Sequence, residues 1–111
     1  MIEALDLAPS DQVLLLDVTD LELVAAVARH LTNGLVVGLG DSDFVLLARR
    51  ATRDLDNVMF HSTTPDEIPF RDGFFTVIVC GTTGEGVSRE VQRVLAPNGR
   101  ICTLDPSRRP L

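Results

Sequence analysis

Five short, nearly continuous apolar runs punctuate this chain, and the stretches between them switch to polar residues or to apolar residues at helical spacing. The runs are Val13 to Val18 (VLLLDV), Leu35 to Leu39 (LVVGL), Asn57 to Phe60 (NVMF), Phe74 to Cys80 (FFTVIVC) and Arg100 to Leu104 (RICTL). Apolar runs of this length, rich in β-branched residues, predict strands buried on both faces. Thr19 and Asp20 offer N-cap side chains to a helix through about His30, with Leu21, Val24, Ala25 and Ala28 on one face. Asn33-Gly34 predicts its stop, with a residue in the left-handed conformation. Asp41-Ser42-Asp43 opens a second helix that carries Phe44, Leu47, Ala48 and Ala51 on one face and Arg49, Arg50 and Arg53 on another. The polar stretch from His61 to Gly73 reads as loop. Ser88 to Leu95 predicts a last helix and Pro97-Asn98-Gly99 a tight turn.

Phe74 to Pro106 is therefore a strand-helix-strand unit, and the upstream chain looks like further copies of it. The order predicts an α/β domain: one open, twisted, mainly parallel sheet with right-handed crossovers. All 111 residues form a single domain in this reading. Ligands of such sheets sit beyond the carboxyl ends of the strands, where strand order reverses. That singles out the loops Val18–Leu21, Leu39–Asp43, Phe60–Thr64 and Cys80–Val87.

Composition narrows the partners. Net charge is −6, and five Phe are the only aromatic residues, with no Trp or Tyr. The sequence lacks both the basic surface that phosphate backbones and anionic membranes attract and the stacking platforms that single strands need. The acidic start MIEALDLAPSDQ is unlike a signal peptide, and no apolar run approaches the roughly 18 residues that span a bilayer. Cytoplasmic location is the expectation. Cys80 and Cys102 lie in two strands without a CxxC pair, so both read as small buried hydrophobes, with no metal site implied.

Three stretches carry a resemblance to the class I S-adenosylmethionine-dependent methyltransferases of the type 11 kind. IPFRDGFFTVIVC resembles the family's "LPFpdgsFDvVvs", and REVQRVLAPNGRICTLDP resembles its closing "rEl.RVLkPGGrlvl.dp". GLVVGLGDSDFVLLARRA is similar to its second strand and following helix, "a.VvGvD.S..ml..Ar". The resemblance implies a Rossmann-like three-layer fold, strand order 3-2-1-4-5 and a pocket for S-adenosylmethionine. Residues matching the family's cofactor contacts would be Asp17 and Thr19 in the first turn, Gly40 and Asp41 after the second strand, Thr64 after the third and Gly81 after the fourth.

Those same positions depart from the pattern. Asp17, Thr19 and Leu21 stand where the family's three glycines let backbone approach the cofactor. The acid that grips the ribose falls at Gly40, with Asp41 one place late. The acid near the adenine falls at Thr64, with Asp66 two places on, and the Asp of "FDvV" is Thr76. At about 1.5–3 kcal/mol for each lost contact to a charged group, two or three losses end useful binding. The family's usual helix and antiparallel strands after the fifth strand have no counterpart in this sequence, so the expectation is that the edge is masked by a partner or a second copy, or that the chain is part of something larger.

Other constellations are weaker. The run Gly81-Thr82-Thr83-Gly84-Glu85-Gly86 could cradle an anion at a helix start, but it lacks the lysine of a P-loop and Glu85 opposes a phosphate. A nucleotide sensor built on it is a third reading. His30 and His61 read as surface residues, Asp66 and Glu67 as helix-start charges, and no residue qualifies as a catalytic nucleophile. The expectation is a degenerate, non-catalytic methyltransferase-like domain that needs no cofactor. It would act through a protein partner or self-association at an exposed sheet edge, as a scaffold or regulatory module. The alternative is a methyltransferase with an atypical S-adenosylmethionine site, active alone or completed by another subunit.

Overall fold

A computed structural model describes residues 6–16, 18, 20–63, 67–81 and 89–103. Its elements run in chain order as β1 (Gln12–Leu16), α1 (Leu21–His30), β2 (Leu35–Gly40), α2 (Ser42–Ala51), β3 (Val58–Ser62), β4 (Phe75–Cys80), α3 (Arg89–Val94) and β5 (Leu95–Thr103). The five strands form one sheet in the order β3-β2-β1-β4-β5, and all its pairings are parallel. This is the Rossmann-like α/β arrangement that the apolar runs and the family resemblance imply.

Alternation along the central strand divides the core in two. Val13 and Leu15 face one side, with Val36, Phe60, Val77 and Val79 from the neighbouring strands. Helices α1 and α2 cover that side with Val24, Val27, Ala28, Val45 and Ala48. Leu14 and Leu16 face the other side, with Val37, Leu39 and Ile78. There the cover is thinner: Val91 and Val94 of the short α3, Ile68, and a packed group of Phe70, Phe74 and Phe75. Leu14 and Leu15 are 0% and 1% exposed, so the strand between them is dry on both faces.

Helix α1 starts where the sequence places it. The Asp20 carboxylate accepts the N–H groups of Glu22 and Leu23, at 3.0 and 3.3 Å. Its end differs from the expectation. Leu31 is the cap residue, and neither Asn33 nor Gly34 is left-handed. Gly34 is needed for space instead, because a Cβ there would meet the Asp11 carbonyl oxygen at 2.1 Å. The last carbonyls of α1 are satisfied from a distance: the Asn57 amide donates 2.8 Å bonds to both Ala28 and Leu31.

Helix α2 is rotated from the predicted face. Val45, Ala48 and Thr52 are buried, Phe44 is half-buried, and Leu47 is 60% exposed along with Ala51. Two overlapping stripes at helical spacing exist here. The one with Val45, Ala48 and Thr52 faces the sheet, and the half-buried Phe44 ring packs at its side, edge to face with Phe60 at 6.0 Å.

Pro97-Asn98-Gly99 is likewise not a turn ahead of β5 but an interruption inside it. Phe75 pairs with Leu95 and Val77 with Arg100, so residues 96–99 bulge opposite Thr76. Cys80 and Cys102 are both free thiols. Their strands are neighbours, yet Cys102 packs against the α1/α2 side and Cys80 against the α3 side, which rules out a bridge between them.

Asn57→Leu tests how α1 is closed. Leaving two part-buried carbonyls unpaired should destabilise the fold by about 1–3 kcal/mol, measured as a lower urea midpoint with an unchanged slope.

Candidate functional site

The carboxyl ends of the strands gather the residues that matter. Asp17, Thr19 and Thr64 lie outside the described residues, as do Asp66 and residues 82–88 of the glycine-rich turn. Gly40, Asp41 and Gly81 are described, and the sheet brings them to the same end. Gly81 continues the β1–β4 pairing, its N–H donating to the Leu16 carbonyl at 2.7 Å. That backbone donor is committed to the sheet.

Gly40 is held in a similar way. Its carbonyl accepts the Thr63 N–H at 3.2 Å, and the Phe44 ring lies over its α-carbon. A Cβ at this position would come within 2.6 Å of that ring. Asp41, the next residue, is exposed and caps α2, with one carboxylate oxygen accepting the Phe44 N–H at 2.8 Å. This is an N-cap acting at a helix start, where it also complements the dipole. Leu21 is half-buried and packed against the α1-side core.

Beside these residues opens a cleft of about 470 Å³, lined by His61, Ser62, Thr63, Glu67, Ile68, Pro69 and Glu90. His61 is not the surface residue the sequence suggests. It lies within β3, half-buried, its ring edge-on to Phe70 at 5.4 Å. Its Nε2 is buried and has no hydrogen-bond partner among the described residues. Strand alternation is the signal that would have found it: Phe60 faces the α2 side, so His61 must turn toward the cleft.

The cleft wall is fastened by Arg93. Its guanidinium donates to both carboxylate oxygens of Glu90 at 2.7 and 3.0 Å and to Asp72 at 2.8 Å. It also donates to the carbonyls of Ile68 and Phe70, both at 2.8 Å, while Glu90 accepts the Ile68 N–H at 3.2 Å. One planar fork thus joins α3 to the loop between β3 and β4. The Glu90 carboxyl is held below its usual range, first by the bond from Arg93 and then by the Ile68 N–H. The Arg93 guanidinium is held correspondingly above its own, first by Glu90 and then by Asp72.

Thr76, at the position of the family's "FDvV" acid, works at the opposite end. Its hydroxyl accepts the Gln12 N–H and donates to the Asp11 carboxylate, each at 2.9 Å. It ties β4 to the entry of β1 and is no part of the site.

No family model and no curated protein matches the sequence. Solved structures do. The chain is similar to the YcgJ protein from Bacillus subtilis, with a TM-score of 0.68 and 24% identity over 93% of this chain and 47% of that one. It is similar to a SAM-dependent methyltransferase from Aquifex aeolicus, with a TM-score of 0.72 and 20% identity over 86% of this chain and 56% of that one. PKMT2 from Rickettsia typhi, solved with AdoHcy, superposes with a TM-score of 0.66 at 21% identity, over 86% of this chain and 21% of that one. The fold is that of the class I methyltransferases. The chain spans about half the length of the first two of these proteins. Among the described residues no helix is long and apolar enough to cross a membrane.

Arg93→Ala should loosen residues 67–73, seen as faster amide exchange at Ile68 and a lower melting temperature. The clip also carries a pH signature. A carboxyl with a lowered folded-state pKa contributes stability above its unfolded value near 4.3, and that contribution fades as the pH falls through the lowered one. The melting-temperature gap between the wild type and Glu90→Gln should therefore be full near pH 7 and close below about pH 4.

Proposed function

We propose that this chain is a methyltransferase-like domain that has given up the family's hold on S-adenosylmethionine and acts through association with protein, as a scaffold or regulatory module. The observation that carries the reading is Gly40. Where the ribose-gripping acid would stand there is no side chain, and the Phe44 ring occupies the space one would need. The adjacent Asp41 carboxylate is engaged in capping α2. The Gly81 N–H is taken by the sheet, and Leu21 at the third glycine position is half-buried against the core. Each missing charge-assisted contact removes about 1.5–3 kcal/mol of affinity.

Association has a natural place. β5 is an edge strand, its Ile101 is 36% exposed, and nothing among the described residues pairs with its outer side. A second copy or another protein would cover it. The alternative reading, a working or subunit-completed methyltransferase with an atypical cofactor site, draws on the cleft beside β3. There the His61 Nε2 is buried and unpartnered among the described residues, and a small shift of the cleft wall would let a ligand bond it.

Calorimetric titration with S-adenosylmethionine and S-adenosylhomocysteine separates the two. No heat of binding at millimolar cofactor is expected, and micromolar affinity overturns the proposal. Gly40→Asp should not create binding on its own, because the new side chain meets Phe44. Light scattering should find the chain associated at high concentration, and a clean monomer counts against the β5 edge.

A further inference from the structure

We infer that the other edge of the sheet, at β3, is a docking groove for an extended acidic peptide segment, which would add to the sheet as a sixth strand. This deepens the association reading by giving the partner a chemistry, and it places that partner opposite β5.

Three observations converge on this edge. In the parallel register of β2 and β3, Asn57, Met59, His61 and Thr63 direct their backbone groups to β2. Val58, Phe60 and Ser62 therefore turn their N–H and C=O groups outward, where no described strand pairs with them. Alongside lies a groove of about 310 Å³, bounded by Arg49, Thr52 and Arg53 of the α2 segment, by Leu55, and by β3 itself. Finally, the groove presents two arginine side chains that no described carboxylate engages directly, with Asp54 and Asp56 exposed on either side of Leu55. Neither Arg49 nor Arg53 forms an ion pair among the described residues, although the chain as a whole is at −6.

Charge complementarity selects the occupant, and strand alternation gives its pattern. Side chains of an added strand that share the face of Phe60 would meet Arg49 and Arg53, so these positions suit carboxylates. Side chains on the opposite face would meet Met59, which is 42% exposed, so these suit apolar residues. Arg49 adds a selection step. Its guanidinium already donates to the outward Phe60 carbonyl at 3.2 Å and so blocks the edge. A neutral or basic strand must remove that bond without replacing it, whereas an acidic strand offers the displaced guanidinium a carboxylate.

Fluorescence anisotropy with a labelled Val-Glu-Val-Glu-Val-Glu-Val peptide tests this, against the same peptide with lysine in place of glutamate. The glutamate peptide should bind, more weakly as salt rises, and the lysine peptide should not. Arg53→Glu should weaken binding at least tenfold, and so should Ser62→Pro, which removes one outward N–H without touching the β2 ladder. Arg53→Glu should change neither the circular dichroism nor the melting temperature, since Arg53 has no described bonding partner inside the fold, and Ser62→Pro should keep the circular dichroism because proline is tolerated on an edge strand whose outward N–H it replaces. Equal binding of the two peptides, or wild-type affinity in Arg53→Glu, overturns the proposal. So does absence of glutamate-peptide binding at millimolar concentration. If that peptide does not bind and light scattering still finds self-association, the β3 groove falls and the association reading stands on β5 alone.

Discussion

A parallel sheet has no face that water can cover, and in this protein β1 bears that constraint. Leu14 and Leu15 are adjacent in sequence and point to opposite cores, each almost wholly buried. Burying one such leucine is worth about 1.5–3 kcal/mol, and it needs a layer of side chains on its own side of the sheet. Every other element is placed by the need to supply those two layers.

The layers are unequal, and that inequality shapes the site. On one side two ten-residue helices lie over the sheet. On the other a six-residue helix and a loop share the task. A loop has few internal backbone bonds with which to hold itself down. Phe70, Phe74 and Phe75 supply its apolar grip, and the fork of Arg93 accepts the job of bonding its carbonyls. The cleft that holds His61 opens between this loop and the end of β3. Its walls therefore rest on that apolar packing and on a single arginine with its two carboxylates.

At the carboxyl ends of the strands, where this fold places ligands, three of the described residues take part in bonding or packing within the domain. Gly40, Asp41 and Gly81 each have a donor, acceptor or surface already engaged by a neighbour within the domain. The sheet edges are different. β3 and β5 each keep one side without a described partner strand, and backbone groups left in that state favour contact with another chain.

Much of this was legible in the residues. Continuous apolar runs require strands covered on both faces, and Asp20 and Asp41 mark helix starts by bonding N–H groups two or three residues away. Such signals act within a few residues, so the sequence alone determines them, and with them the order of elements and the parallel sheet. Contacts between distant segments were not legible. Which stripe of α2 faces inward is settled by its packing against the sheet, and the need for Gly34 depends on the Asp11 carbonyl. Asn57 looks like the start of a strand and in fact closes α1 from 26 residues away. His61 is half-buried against Phe70, with its Nε2 buried and unpartnered among the described residues, only because of how the chain folds. Those facts belong to the tertiary structure because steric fit and hydrogen-bond satisfaction are settled by whatever the fold brings alongside, which no local pattern encodes.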